Sequence, residues 1–332
     1  MAAVARQETA RRAQGHLRPI RPVRDLADIA DLTEIGFGDQ LGRGGREIVR
    51  EMRELASLGP LLWPAAWALK LSMGAGFVWE EGGKVVGNVS LFDAGRFPGM
   101  GRGWLIANVV VHPAHRQRGI ARALVGAALA DARARGGRWV ALQVERDNDG
   151  ARALYESLGF EDKGVLVRWE ADFIGQLPLT PLRWRPHRPR PNEARQEAAI
   201  VQQTRPAMII WSRVLTPGDV GGGWLHRLEM AFTGVPYERC VIGDAENGLR
   251  GVAWIEGYRE RRISLFYPFP LRHEEERRAL AHFTLRRAMD SGGGYTMVEY
   301  AGEDPVIEDL LRGVGFRLQR ELVQMRHSLD LD

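Results

Sequence analysis

Residues 104–160 set out an apolar strand, a basic glycine turn, a helix, a second strand and a second helix with almost nothing spare between them. WLIANVVV (104–111) is a near-continuous apolar run of the length expected for a strand buried on both faces, and Pro113 ends it. Arg116, Gln117, Arg118, Gly119, Ile120 and Ala121 then open a helix whose apolar positions Ala121, Leu124, Val125, Ala128, Leu129 and Ala132 recur at helical spacing. Arg133 and Arg135 fall in its last turn, and Gly136 and Gly137 close it. The strand RWVALQVE (138–145) leads to a second helix with Asp147, Asn148 and Asp149 as capping residues. Its end puts Gly159 at the left-handed position before Phe160.

The head of the first helix is the chemically informative point. Its first amides lack partners within the helix, and a glycine lets a ligand approach the main chain closely. The helix dipole favours an anion there, and Arg116, Arg118 and Arg122 make a pyrophosphate a better fit than a single carboxylate. From the short motif alone, a plain strand-to-helix turn with solvated arginines fits equally.

Together with its continuation the stretch carries more. VVVHPAHRQRGIARAL followed by NDGARALYESLGF resembles the GNAT superfamily of acyl-CoA-dependent N-acetyltransferases, over residues 18–170. Within it the LYESLGF helix is most similar to ribosomal-protein alanine acetyltransferases and to the acyltransfer half of mycothiol synthase. The resemblance implies acetyl-CoA as co-substrate and a primary amine as acceptor. It implies main-chain groups of Val109, Val110 and Val111 along the pantetheine arm, and amides of Arg116, Gln117, Arg118, Gly119, Ile120, Ala121 and Arg122 on the pyrophosphate. Asn148 and Ala151 would contact the cofactor, and the Tyr155 phenol would protonate the departing thiolate. A half-buried core aromatic is the competing reading of Tyr155.

A general base is harder to find. The alanine acetyltransferases carry a glutamate five residues before the asparagine, where this chain has Gln143, and Asn108 stands where many relatives carry an acid. Glu145 shares a strand face with Gln143 and is the expected base, directly or through a water. A solvated strand-end carboxylate is the alternative. No metal is implied, because His112 and His115 lack further ligands at zinc spacing.

The chain's 332 residues suggest two domains, and 45% apolar content suffices for packed cores. A single cysteine, Cys240, excludes an internal disulfide framework and fits a cytoplasmic protein. The formal charge is +4, nearly all the positive charge being arginine. Residues 1–17 read as a polar, disordered tail with no secretory signal. The expected first strand covers 17–23, a helix starts at Asp25, and strands follow at 76–80 and 84–92, with a loop over 93–103 bordering the acceptor cleft. The segment 55–77, broken by Pro60 and Pro64, reads as a helix packed on the sheet or walling a greasy pocket, and no membrane span is expected.

Composition changes after Glu170, and 173–196 reads as a Pro- and Arg-rich linker. Such a stripe can bind phosphates and Trp184 could stack on a base, yet these runs more often lie solvated or pair within their own protein, so no nucleic-acid partner is expected. Beyond it the element order recurs: a helix over 217–232, strands over 239–243, 249–256 and 262–267, a helix over 273–291, a strand over 295–300 and a helix over 304–312. A shift of 156 lays Gly159–Phe160 on Gly315–Phe316, Asn148 on Asp304 and Trp139 on Tyr295. The expected architecture is therefore α/β (α+β): two tandem GNAT-like domains, 18–172 and 197–332, each a mixed, mostly antiparallel sheet flanked by helices, the two copies packing on each other in a monomer or homodimer. Gly119 falls on Glu275, beside Glu274 and Glu276, and Tyr155 falls on Leu311. Three carboxylates at a helix start repel a pyrophosphate, so the second copy is expected to be degenerate. The expected activity is transfer of an acetyl group by direct attack in a ternary complex; a CoA-sensing or partner-binding protein with little turnover is the alternative.

Overall fold

In a computed structural model, residues 15–38, 41–57, 75–97, 99–178, 183–204, 237–244, 248–257, 260–268, 271–292 and 294–329 are described. The expected tail over 1–14, most of the helix expected over 55–77 and the helix expected over 217–232 lie outside them. The fold is mixed α/β, and its residues form two compact units: 15–142 with 153–160 and 326–329, and 143–152 with 161–325. The strand that follows Phe160 thus belongs to the second unit, and the last residues of the chain belong to the first.

The first unit orders its strands β1 (His16–Pro19), β2 (Ala75–Glu81), β3 (Lys84–Phe97), β4 (Gly101–Val111) and β5 (Trp139–Glu145, to Leu142 in this unit). All neighbours are antiparallel except β4 and β5, which run parallel and pair only at Gly103–Leu105 with Trp139–Ala141. Helix α1 (Pro22–Phe37) begins earlier than expected because Pro22, with its fixed φ and no amide to satisfy, suits a first helical position. Helix α2 (Arg43–Ser57), unforeseen in the sequence, follows it. The loop expected over 93–103 is instead the end of a long β3–β4 hairpin, whose register shifts between Asp93 and Gly95.

One face of this sheet packs Val78, Val85 and Val110 against Ile29 and Leu32 of α1. Helix α3 (Ile120–Ala134) buries Leu124, Val125, Ala128, Leu129 and Ala132, as read from the sequence, but its first core position is Ile120 rather than the expected Ala121, which is only half-buried. Its close approach depends on Gly87, where an added Cβ would lie 3.0 Å from Ile120 Cγ2 and Leu124 Cδ1. Helix α4 (Asp149–Ser157) ends, as expected, with Gly159 at φ 84°. The terminal residues are tied to this unit by Leu329 N donating to Arg138 O at 2.8 Å and by a 2.9 Å bond between His327 Nδ1 and Gly159 O.

The second unit runs β11 (Arg317–Ser328, to Met325 here), β6 (Glu161–Ala171), β10 (Thr296–Ala301), β9 (Arg261–Phe266), β8 (Gly248–Glu256) and β7 (Tyr237–Asp244). β9 and β10 are parallel, and the β6–β10, β8–β9 and β7–β8 pairs antiparallel. Helices α6 (Glu274–Asp290) and α7 (Pro305–Gly313) cover one face through Leu285, Ala288, Ile307 and Leu311, packed on Trp169, Val298 and Tyr300. Helix α5 (Ala194–Thr204) covers the other through Ile200 and Val201. The 156-residue offset holds in the elements: α4 maps onto α7 residue for residue, and β6 and β11 begin at matching positions. The described part of the Pro- and Arg-rich stretch pairs within its own protein. His187 exchanges main-chain bonds with Val241 at 2.9 and 2.8 Å, and Trp184 lies under the Arg250 guanidinium at 4.9 Å.

Among the described residues no helix is long and apolar enough to cross a membrane. A buried ion triad anchors the start of the chain. Arg18 donates to Asp25 at 2.6 and 2.7 Å and to Glu80 at 2.6 Å, and Asp25 also accepts from the Arg21 amide. Burial works to raise the Asp25 pKa, but the Arg18 and Arg21 hydrogen bonds overcome it and hold the carboxyl below its ordinary value. A depressed folded-state pKa gives stability that is present above about pH 4 and lost as the pH falls through the folded value. Asp25→Asn should therefore cost about 3–5 kcal/mol at pH 7, as loss of one partner from a buried ion pair does. In urea titrations its deficit should shrink below pH 4.

Candidate active site

Two turns of left-handed backbone shape the end of β4 and the start of α3. After the short 3-10 turn Pro113–His115, which His112 caps by accepting from the Ala114 amide, Gln117 takes φ 61° and Gly119 φ 76°. Left-handed residues on either side of Arg118 are a backbone pattern from which concave anion nests are built. Among the described residues no acceptor is bonded to the amides of Gln117, Arg118, Gly119, Ile120, Ala121 or Arg122. Gly119 is required by conformation and not by space, since an added Cβ would meet nothing within 4 Å.

The arginines here are engaged within the protein. Arg116 Nε donates to Val111 O at 3.2 Å, which fastens the turn to the strand end. Arg118 pairs with Glu81 at 3.0 Å and lies 2.9 Å from His115 Nδ1. Arg122 donates to Ser157 Oγ at 2.7 Å and so ties the head of α3 to the end of α4. The nest therefore offers main-chain donors first, with guanidiniums standing beside it. No sequence pattern pointed to Glu81 or Ser157, whose roles arise from tertiary pairing.

Val109, Val110 and Val111 lie where β4 has stopped pairing with β5, so along that edge their main chain is not used by the neighbouring strand. Just before them Asn108 holds φ 49°, and the β3–β4 register shifts so that Val89 faces both Asn108 and Val109. This is a β-bulge, which re-aims the strand. A left-handed residue other than glycine costs about 1–2 kcal/mol.

Tyr155, on α4, is buried with its ring 5.8 Å from that of Phe160 in an edge-on contact inclined at 60°, and Phe160 in turn packs on His327. Its hydroxyl makes no hydrogen bond to a described residue, and burial pushes the phenol up to about 12, so it stays protonated at neutral pH. The turn, the β4 edge and Tyr155 all belong to the first unit.

Gln143, Glu145, Asn148 and Ala151 belong to the second unit. Gln143 Nε2 donates to Gln324 Oε1 at 3.1 Å. Glu145 is half-buried and 3.4 Å from Arg320; burial raises its pKa, with Arg320 opposing and Asp147 adding to the rise. Asn148 caps α4 by accepting from the Ala151 amide at 3.1 Å. That bond uses the amide that the sequence reading offered to a ligand. Among the described residues no group of three or more His, Cys, Asp and Glu could hold a metal ion.

The repeat of this region in the second unit is filled by its own side chains. At the head of α6 the buried Glu276 pairs with Arg250, and the buried Arg277 donates to Asp304 at 2.7 Å. Asp304, the counterpart of Asn148, also caps α7 through the amides of Val306 and Ile307. Leu311, the counterpart of Tyr155, is fully buried.

The model of the acetyltransferase (GNAT) family matches residues 47–160. An uncharacterized N-acetyltransferase of Methanocaldococcus jannaschii is 37% identical over 109 residues, 32% of this chain and 48% of the relative. The N-alpha-acetyltransferase RimI of Mycobacterium tuberculosis is 39% identical over 90 residues, 27% of this chain and 54% of the relative. The chain thus spans about half the length of the curated relatives it matches. Among solved structures it is similar in fold to a GCN5-related N-acetyltransferase from Sphaerobacter thermophilus, with 14% identity over 96% of this chain and 98% of that one and a TM-score of 0.59. A tandem GNAT protein from the clavulanic acid biosynthesis pathway aligns with 14% identity over 96% of this chain and 99% of that one at a TM-score of 0.54.

Coenzyme A at about 100 times its dissociation constant should stabilise the protein by about 2.7 kcal/mol in a thermal-shift assay. Gly119→Glu, which sets a carboxylate among the nest amides, should remove that gain. Gly119→Ala should lower the midpoint by about 1 kcal/mol of stability through backbone strain and keep most of it.

Proposed function

We propose that the chain transfers an acetyl group from acetyl-CoA to a primary amine, a small molecule or a protein N-terminus, in the cytoplasm, a reading supported by the match of residues 47–160 to the acetyltransferase (GNAT) family model. The single observation that carries this reading is the set of unspent amides from Gln117 to Arg122 at the head of α3, beside a strand edge left open after Leu105. Those amides take the diphosphate, and the main chain of Val109, Val110 and Val111 aligns the pantetheine arm. The co-substrate supplies an acetyl carbon activated as a thioester.

The residues of the chain then provide placement and protons. Fixing amine and thioester side by side supplies most of the acceleration. Attack by the neutral amine forms the C–N bond and the C–S bond breaks; the departing thiolate takes the proton of Tyr155, and the second proton shed by the acylated nitrogen returns through water to restore the phenol. A phenol held near 12 is fully protonated when that moment comes. Glu145 removes the proton of the acceptor ammonium, directly or through water. Drawn by the repeat rather than by the compact units, the catalytic copy covers 18–172 and the copy over 197–332 has lost acyl-CoA binding. The filling of the α6 head by Glu276, Arg277 and Asp304 supports that loss.

A second reading, a CoA-binding sensor with little turnover, is favoured by one observation: the carboxylate offered as base is already paired with Arg320. An amine panel followed by release of free thiol separates the two, since a sensor releases none above background. For an enzyme, Tyr155→Phe should lower kcat about 100-fold while coenzyme A protection persists. Glu145 must be ionised to act, so the rate should rise with pH through its elevated pKa, and Glu145→Gln should flatten that limb. An unchanged profile would remove Glu145 from the reaction.

A further inference from the structure

Asn88 is an unusual occupant of the middle of β3. It is fully buried in the run VVGNVSLF, where an apolar β-branched residue would be cheaper and better suited to a strand. Its Nδ2 donates to the main-chain carbonyl of Asn108 at 2.9 Å, with Ser90 Oγ farther off at 3.3 Å. Its Oδ1 is buried and has no hydrogen-bond partner among the described residues. A buried amide that leaves half its capacity unmet is a net cost unless the other half does something the strand needs.

The carbonyl it holds belongs to the strained residue of the β4 bulge. A second tie reaches the same residue from the other side. Thr33 of α1 spends its one hydroxyl proton on Ile29 O at 2.6 Å, so toward Asn108 it acts as acceptor and receives Asn108 Nδ2 at 3.0 Å. Asn108 is thus gripped by its main chain from β3 and by its side chain from α1. A left-handed conformation in a residue with a Cβ persists only where its surroundings over-determine it, and such sites cluster where strain serves function. The bulge sits directly before Val109, at the edge that β5 has given up.

We propose that Asn88 and Thr33 are positioning residues for acyl transfer, holding the bulge at Asn108 so that the main chain of Val109 keeps the direction the reaction needs; this rests on the acetyltransferase reading above. Neither residue touches the reacting groups. They act through Asn108, and their removal lets the strand relax toward regular pairing with β3. The coenzyme's diphosphate contacts at α3 are left intact.

The test uses the full-length chain and compares kcat, the KM for acetyl-CoA and thermal protection by coenzyme A. Asn88→Ala should lower kcat about 10- to 100-fold, the cost of a small misplacement of reacting groups, with KM and protection within about threefold. Adding Asn108→Gly should recover part of that loss, because glycine enters positive φ without strain. Amide hydrogen exchange over 107–111 should quicken about tenfold in Asn88→Ala, a local opening measured without reference to turnover. An unchanged kcat, or a loss in which coenzyme A protection falls equally and glycine restores nothing, would overturn the proposal. Should Asn88→Ala fail to fold, Thr33→Val, nearly the same shape without the hydroxyl, should give the same split between kcat and protection, and a normal kcat there overturns it. If the wild type acetylates no amine in the panel, the acetyltransferase reading falls and the positioning role falls with it. Quickened exchange in Asn88→Ala would then still show the clamp on the bulge, and so separate that failure from an absence of the clamp itself.

Discussion

On the β5 side of β4 and at the head of α3 the main chain keeps groups out of secondary structure. β4 stops pairing with β5 after Leu105, and the amides of Gln117–Arg122 bond no described acceptor. Backbone groups are normally paired wherever water is excluded, so a strand edge and a helix head that stay open side by side make a groove with built-in hydrogen-bond capacity. The rest of the first unit holds that arrangement in place. Arg116 Nε fastens the turn to Val111, Gly87 lets α3 lie close on β3, and Asn88 with Thr33 keeps the bulge from relaxing.

The second copy shows what becomes of the same frame when the open groups are closed. α6 begins with a left-handed His273 as α3 begins with Gly119, but Glu276 pairs with Arg250 beside it and Asp304 joins the cap of α7 to Arg277. Internal carboxylates there stand where an anion would otherwise be drawn by the dipole. Scaffold and chemistry separate cleanly in this pair: helix spacing, strand length and the Gly–Phe ending recur, while the groups that could meet a ligand do not.

Periodicity carried much of the fold. The α3 core positions, both strands of 104–145, the Gly159 ending and the 156-residue offset were legible because each depends on local spacing. What stayed hidden depends on partners distant in sequence. The β3–β4 hairpin extends through 93–103 because each strand satisfies the other, and that stretch alone reads as loop. Arg118 looked like a ligand for phosphate until Glu81, thirty-seven positions away, was found beside it. Asn88 did leave a trace, a carboxamide in an otherwise apolar run, but nothing in the run says which carbonyl it serves. The left-handed turns at Asn108 and Gln117 left none, since neither residue announces a positive φ as glycine does.

The chain's last strand has a consequence for how the molecule is made. Residues near His327 and Leu329 complete the first unit, while β6, synthesised far earlier, is claimed by the second. A growing polypeptide therefore cannot finish its leading half and move on, as domains usually do during translation. Residues 326–329 join the first unit only after the whole of the second has been made.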